Sequence, residues 1–340
     1  MNPIVYKLMT DNKDLPKILI YKTDSNPQPK LITYGFNDSI EKLNLINLTA
    51  NKYYRSGLTI DFDRSDKESI KKKMEKFNVK NINQTQAEFI ELIKLFELDK
   101  KSQKVFTNKS TDLENISSLI GNKFEIKNKS ATLIMWKFSD IDIDETTYIE
   151  LLLTDLNTIL NNLEKSGTLI MQIYGTQTNL MAEFIEYFCR IFSDGYIVRP
   201  STVSNLSDQK YLVLDGYSGN KIDIKFKSKE YLVSIGLQIS QNIQNIIQCV
   251  NSVTLPIIFN SYNKIKEYLD TQVYEGATYT DFITKQNENI DKWIDMYLHR
   301  SDKSDKSDKS TNNLSELLQD ILLKTSNQCI YSKQYEEINY

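Results

Sequence analysis

The most regular alternation of apolar and polar positions lies between residues 130 and 217. Short apolar runs, typical of buried strands, are separated there by longer segments with the apolar spacing of a helix. In chain order these are strand 132–136 (TLIMW), helix 147–165, strand 168–174 (TLIMQIY), helix 179–192, strand 196–199 (YIVR) and strand 210–216 (KYLVLDG). Strands that alternate with helices favour a mostly parallel sheet, and the final pair of strands predicts an antiparallel edge.

Two segments near the N-terminus predict a β-hairpin or an edge pair. Residues 17–22 (KILIYK) and 30–36 (KLITYGF) alternate in polarity. The intervening DSNPQP contains Pro27 and Pro29, which favour a turn and cannot donate to a sheet ladder.

Two helices are predicted next, each with the T/S-x-x-E spacing of a capping box. Ser65 stands three residues before Glu68, and Thr85 stands three before Glu88. In the second helix an i, i+3, i+4, i+7 apolar stripe begins at Phe89 and predicts a buried face. The residues around Val105 predict a strand, and residues 112–120 a short helix ended by Gly121.

The C-terminal third is predicted to be mostly helical. KIDIKFKSK (221–229) alternates like an edge strand, 237–250 and 257–270 have helical patterns, and SDKSDKSDKS (301–310) has the composition of a disordered linker. We therefore divide the chain into five parts. They are an N-terminal hairpin and lead-in (1–60), an α/β domain (61–230), a helical extension (231–300), a linker (301–313) and a C-terminal helix or tail (314–340).

Composition excludes several classes of protein. The 42 basic and 45 acidic residues give a net charge of -3, so nucleic acid could be bound only by a local patch. The candidates for RNA contact are Lys71, Lys72 and Lys76, although lysines on one helix face are more often simply solvated. Three cysteines and one histidine, His299, show no metal-ligand spacing. With neither a signal peptide nor a membrane span evident, we expect a cytoplasmic protein.

The order of elements between Ser130 and Tyr217 resembles the FtsJ-like RNA ribose 2'-O-methyltransferases. In that family a catalytic Asp ends one strand, a catalytic Lys lies on the next, and a catalytic Glu precedes the last. The segments that carry the resemblance are ATLIMWKFSD, KSGTLIMQIYG and YIVRPSTVSNLSDQKYLVLDGY. The resemblance implies a Rossmann-like methyltransferase fold, with a mostly parallel central sheet and an antiparallel edge strand, followed by a helical C-terminal region.

None of the catalytic residues is retained at the matching positions. The family's Asp falls on Lys137, its Lys on Gln172 and its Glu on Gln209. Asp140 would supply the carboxylate if the register were shifted by three residues. Because an amide does not titrate near neutrality, Gln172 cannot act as a base. The resemblance therefore implies a fold without its usual catalytic residues.

The cofactor site of this fold normally has a glycine-rich turn after the first strand. No such cluster occurs before residue 130, where Gly35, Gly57 and Gly121 are isolated. We expect no cofactor and no metal, and cannot assign cofactor-binding residues. S-adenosylmethionine is expected only if the chain is an active methyltransferase.

A second resemblance concerns the segment TIDFDRSDKESIKKKMEKFNVKNI and the overall layout of the chain. Both resemble the small regulatory subunit of the poxvirus-type mRNA-capping enzyme, a family with a methyltransferase-like fold and no catalytic residues. That subunit binds the large catalytic subunit as a heterodimer and stimulates its cap guanine-N7 methyltransferase. The resemblance implies the same partner and role here, and a viral origin in the host cytoplasm or virion. The alternatives are an active cap ribose 2'-O-methyltransferase and a homo-oligomeric RNA-binding or virion protein.

Overall fold

The structure is a computed structural model. It describes residues 2–10, 13–26, 60–62, 65–77, 79, 81–100, 103–121, 124–127, 129–140, 143, 145–221, 224, 226, 230–271, 276–298 and 316–323. The predicted strand at 30–36, the linker at 301–310 and His299 lie outside these residues.

The described chain contains β1 to β9, and most of them belong to one sheet. In chain order the strands are β1 (Ile4–Leu8), β2 (Lys22–Asp24), β3 (Lys104–Thr107), β4 (Glu125–Ile126), β5 (Ala131–Trp136), β6 (Leu163–Tyr174), β7 (Phe192–Arg199), β8 (Gln209–Tyr217) and β9 (Tyr231–Ser234). The four strands predicted between 130 and 217 are confirmed as β5 to β8, and the strand predicted around Val105 as β3.

The helices mostly alternate with these strands. They are α1 (Lys67–Glu75), α2 (Gln84–Leu95), α3 (Ser110–Ile120), α4 (Glu145–Asn162), α5 (Asn179–Ile191), α6 (Gln241–Thr271), α7 (Ala277–Tyr297) and α8 (316–323), with a 3-10 turn at Leu98–Lys100. As predicted, α3 ends at Gly121, whose φ of 68° is left-handed. The two helices predicted at 237–250 and 257–270 are instead the single helix α6, which continues through Pro256.

The sheet is mixed, with seven strands in the order β1-β7-β8-β6-β5-β3-β4. The three contacts among β4, β3, β5 and β6 are parallel, and the three among β6, β8, β7 and β1 are antiparallel. The prediction of a mostly parallel sheet is therefore wrong, because parallel and antiparallel contacts are equal in number. The predicted antiparallel pair exists but lies inside the sheet, because β1 pairs with β7 and forms the edge.

The N-terminal segment differs from the prediction. Residues 17–21 are not a strand, and β2 begins at Lys22. It pairs antiparallel with β9 rather than with a neighbour along the chain. In the predicted strand at 221–229, the described residues 221, 224 and 226 have no strand structure.

Apolar side chains on the two faces of the sheet form two cores. Leu169, Met171 and Ile173 of β6 pack with α4, α5 and the start of α6. Ile170 of β6 and Val213 of β8 point to the other face and pack with α1, α2, α3 and α7. Ile321 of α8 is 3% exposed and joins this second core. The result is a sheet covered by helices on both faces.

The predicted capping boxes lie elsewhere. Asp66, not Ser65, caps α1 by accepting a hydrogen bond from the Glu68 backbone. Asn83 caps α2 and forms a capping box with Gln86. Thr85 and Glu88 therefore lie within α2, with their side chains turned toward the sheet.

Candidate functional site

The sheet has a topological switch point between β3 and β5. From β3 the chain passes through α3 to β4, on one side of β3. From β5, which lies on the other side of β3, it passes through α4 to β6, in the opposite direction along the sheet. In open α/β sheets, ligands bind in the crevice at the carboxyl ends of the strands beside such a point. In this protein Asn108 follows β3 and Lys137 follows β5, so the crevice begins between these two residues.

Lys137 is held in this crevice by Glu88 of α2. Its Nζ lies 2.9 Å from Glu88 Oε2, and the two side chains are 3% and 2% exposed. Lys137 Nζ also donates to Thr85 Oγ1 at 3.0 Å. Lys137 is thus a buried cation that is compensated by a carboxylate from another helix.

Gln209 converges on the same carboxylate. Its Nε2 donates to Glu88 Oε2 at 2.9 Å, and the hydroxyl of Tyr211 donates to the same oxygen at 2.6 Å. Burial, and then the charge of Glu88, raise the pKa of Tyr211 well above its ordinary value, so the phenol stays protonated and remains a donor. One carboxylate oxygen therefore accepts from an ammonium, an amide and a phenol.

Gln172 holds the loop that follows β5. Its Oε1 accepts from the backbone of Phe138 at 2.8 Å and of Ser139 at 3.0 Å, and its Nε2 donates to Ser139 O at 2.9 Å. The same Nε2 donates to Tyr174 Oη at 3.2 Å, and that hydroxyl donates to Gln209 Oε1. The three positions predicted from the sequence therefore belong to one buried hydrogen-bonded group.

The loops on either side of the crevice are joined to each other. Asn108 Nδ2 donates to Lys137 O at 2.7 Å, and the Lys137 backbone donates back to Asn108 Oδ1 at 3.2 Å. Lys109 pairs with Asp140 at 2.5 Å. Burial alone would raise the pKa of Asp140, but the hydrogen bond from Lys109 and the charge of Lys137 hold it below its ordinary value.

The side chains described so far form one connected group, which we call the switch-point network. It comprises Thr85, Glu88, Asn108, Lys109, Lys137, Asp140, Gln172, Tyr174, Gln209 and Tyr211.

The loop after β7 is fixed by a second carboxylate of α2. Glu91 accepts from Ser201 N at 2.7 Å and Ser201 Oγ at 2.9 Å, and from Trp293 Nε1 of α7 at 3.2 Å. Burial raises the pKa of Glu91, against these hydrogen bonds. Helix α2 thus connects the 200–202 loop to helix α7.

A separate titratable cluster lies on the opposite face of the sheet. Glu145, at the start of α4, accepts from Gln177 N at 3.3 Å and from the Thr178 hydroxyl. Burial raises the pKa of Glu145 to about 7. Nearby, Lys210 is fully buried beside Asp208, and its burial lowers its pKa. Neither charged side chain belongs to the switch-point network.

The described residues limit other kinds of site. They contain no group of three or more His, Cys, Asp or Glu placed to hold a metal ion. Within the same parts of the chain, no helix has both the length and the apolar composition needed to cross a membrane. Lys71 and Lys72 lie exposed on α1, and Lys76 lies exposed at its C-cap, all outside the switch-point network.

Sequence reasoning missed Glu88 as a site residue. The T-x-x-E spacing from Thr85 indicated a cap, yet Asn83 and Gln86 have an equivalent spacing and form the actual box. A useful signal was the position of Glu88 directly beside the apolar stripe that begins at Phe89, because an acidic residue there requires a buried partner.

No protein-family profile matches this chain. The uncharacterized protein R383 of Acanthamoeba polyphaga mimivirus is 33% identical over 363 residues, an alignment that covers 99% of each chain. The chain belongs to the same family as that mimivirus protein. The sequence similarity to this relative covers the N-terminal and C-terminal segments as well as the α/β sheet. The relative is a viral protein.

Proposed function

We propose that the chain is a catalytically inactive, methyltransferase-like regulatory subunit of a viral mRNA-capping enzyme. It would bind the large catalytic subunit as a heterodimer in the host cytoplasm and stimulate its cap guanine-N7 methyltransferase. The proposal combines the resemblances in sequence with the geometry of the switch point.

The observation that carries the proposal is the filled crevice. Lys137 and Glu88 are 3% and 2% exposed, and Gln172 is fully buried. The Asn108–Lys137 hydrogen bonds close the two loops between which a ligand of this fold would enter. A cofactor could enter only if α2 and these loops moved apart, so the arrangement favours a scaffold over an enzyme.

The chemistry of Gln172 supports the same conclusion. Ribose methylation requires a base for the hydroxyl proton, and a base of this kind contributes roughly 10²- to 10⁴-fold. Gln172 accepts two backbone N–H groups, which a lysine side chain cannot do. The position is thus adapted to hold the 138–139 loop, a role in which a lysine would fail.

The test is co-expression with the large capping-enzyme subunit from the same source. We expect a one-to-one complex by size-exclusion chromatography and at least a tenfold faster N7-methylation of capped RNA than by the large subunit alone. An equimolar inert protein serves as the control for non-specific stabilisation. Absence of a complex, or an unchanged rate within the complex, would contradict the proposal.

The second candidate is an active cap ribose 2'-O-methyltransferase with a relocated set of residues. One observation favours it: Lys137 Nζ lies within 4 Å of two carboxylates, 2.9 Å from Glu88 and 3.8 Å from Asp140. A lysine oriented by carboxylates is what such a reaction needs. Micromolar binding of S-adenosylmethionine by the isolated chain, with methyl transfer to capped RNA that Lys137→Met abolishes while circular dichroism shows the variant folded, would establish this candidate and overturn the first.

A further inference from the structure

A cavity of about 310 Å³ lies between α1, the start of α2 and α3. Its polar lining is rich in carboxamides, with Asn81, Asn83 and Gln86 on one wall and Asn115 of α3 on another. Lys67 of α1 lies at its rim, and Phe62 and Ile70 supply apolar surface. The switch-point network contributes no residue to this lining.

Two of these carboxamides are already engaged, and two are available. Asn83 Oδ1 accepts from the Gln86 backbone, and both side-chain nitrogens donate to Asp112 Oδ1, at 2.8 and 3.0 Å. Within the part of the chain that the structure describes, the side chains of Asn81 and Asn115 have no hydrogen-bond partner. Each therefore offers an adjacent donor and acceptor to a ligand in the cavity.

The lysines of α1 divide into two sets around this helix. At 3.6 residues per turn, Lys71 lies about 40° from Lys67 on the same flank. Lys72 and Lys76 lie about 140° and 180° away from Lys67, on the outward face. Ile70 and Met74 are buried between the flanks, and Lys73 on the far flank pairs with Asp291 of α7. Lys67 and Lys71 thus form a row that leads from the cavity.

We propose that this cavity and the Lys67–Lys71 row bind a nucleotide of single-stranded nucleic acid. The base enters the cavity, where the carboxamides of Asn81 and Asn115 pair with the donors and acceptors of its edge. The backbone phosphates lie against Lys67 and Lys71, which have no ion-pair partner among the described residues. The cavity volume is at the lower end for small-molecule sites, as a single base requires.

Lys71, Lys72 and Lys76 were the candidates for RNA contact from the sequence. In this site Lys71 contacts a phosphate, whereas Lys72 and Lys76 face away from the cavity. The paired donor and acceptor of each carboxamide match the edge of a base, and the poly-glutamate comparison below separates this ligand from an acidic peptide. The inference goes beyond the proposed regulatory role and does not depend on it. A chain without affinity for nucleic acid could still stimulate a capping enzyme, and the reverse also holds.

The experiment measures fluorescence anisotropy of a labelled ten-nucleotide RNA with the full chain over a series of salt concentrations. Lys67→Gln/Lys71→Gln is compared with Lys72→Gln/Lys76→Gln, which removes the same charge from the same helix and its C-cap. All four side chains are exposed, so both variants should fold, and circular dichroism checks this. We expect the first pair to weaken binding about tenfold and to lower the salt slope by about two, and the second to weaken it less than twofold.

A third variant, Asn81→Leu/Asn115→Leu, should weaken binding severalfold without changing the salt slope, because it removes contacts to the base and no charge. DNA of the same sequence that binds as tightly as the RNA also supports the proposal, since it shows that the 2'-hydroxyl is not read. The proposal is overturned if the two lysine pairs have equal effects, if the wild-type chain does not bind RNA at tens of micromolar, or if poly-glutamate binds as tightly as RNA.

Discussion

Lys137 and Glu88 form an ion pair of 2.9 Å although they come from a strand end and a helix 49 residues apart in sequence. Because both are buried, removal of either partner leaves a buried charge without its nearest counter-ion. We expect Glu88→Gln or Lys137→Met alone to lower the free energy of unfolding by about 3–5 kcal/mol. The double variant should cost at least about 1 kcal/mol less than the sum. Urea unfolding of all four chains measures this coupling.

The control for this cycle is the exposed pair of Lys7 and Asp194. Their side chains are 46% and 47% exposed at 3.1 Å, so the coupling between them should be less than about 1 kcal/mol. Equal coupling energies for the two pairs would mean that the Lys137–Glu88 pair is hydrated in solution.

Replacement of Gln172 by lysine should not restore an enzyme. The new side chain cannot accept from Phe138 N and Ser139 N, and it would place an ammonium at a fully buried position. We expect Gln172→Lys to destabilise the fold by about 3 kcal/mol or more and to show no methyl transfer to capped RNA. Gln319→Lys, the same change at an exposed position of α8, should alter stability by less than about 0.5 kcal/mol. A stable and active Gln172→Lys variant would show that the crevice opens readily.

Glu145 should make the protein less stable as the pH rises toward neutrality. Its pKa is about 7 in the folded chain against 4.5 ordinarily, so the folded state keeps a proton that the unfolded state loses. Its contribution is complete below about pH 4.5 and is lost as the pH rises through 7, a change of about 3 kcal/mol. Urea unfolding from pH 5 to 8 should therefore decline less steeply for Glu145→Gln than for the wild type. Parallel curves would contradict the assignment.

Trp293 should stabilise α2 from the C-terminal side. It packs edge-on against Phe62, with ring centroids 5.1 Å apart, and donates to Glu91. We expect Trp293→Ala to lower the free energy of unfolding by about 3–5 kcal/mol through the cavity it leaves. Trp293→Phe should cost about 1–3 kcal/mol, because it keeps most of the packing and removes the donor to a buried carboxylate. Lys292→Ala, at the exposed neighbouring position, is the control, and thermal unfolding is the measurement.

Periodicity predicted the elements whose patterns are local. The apolar run 132–136 became Ala131–Trp136, and the helical pattern of 179–192 became Asn179–Ile191. The strands and helices between 130 and 217 therefore needed no tertiary information. Their order in the sheet did need it, because hydrogen bonds from β1 decide that β7 is not an edge.

The residues of the switch-point network were predicted only in part, because some of its contacts join segments that are far apart in the sequence. The resemblance in the order of elements singled out Lys137, Gln172 and Gln209, and the structure brings these three side chains into one hydrogen-bonded group. Glu88 could not be found this way, since its burial depends on Lys137, which lies far along the chain. The role of Gln172 as an acceptor for two backbone groups likewise becomes visible only when the 138–139 loop is placed.

The pairing of β1 with β7 joins the first strand of the chain to one that begins almost 190 residues later. During translation, Ile4–Leu8 must remain unpaired until Arg199 has left the ribosome, and at about 5–20 residues per second this wait lasts roughly ten seconds or more. Val5, Tyr6 and Leu8 are apolar side chains that this interval leaves exposed. Closure of the edge is therefore a late, high-contact-order event, and a chaperone that covers the strand in the meantime would protect it from association with other chains.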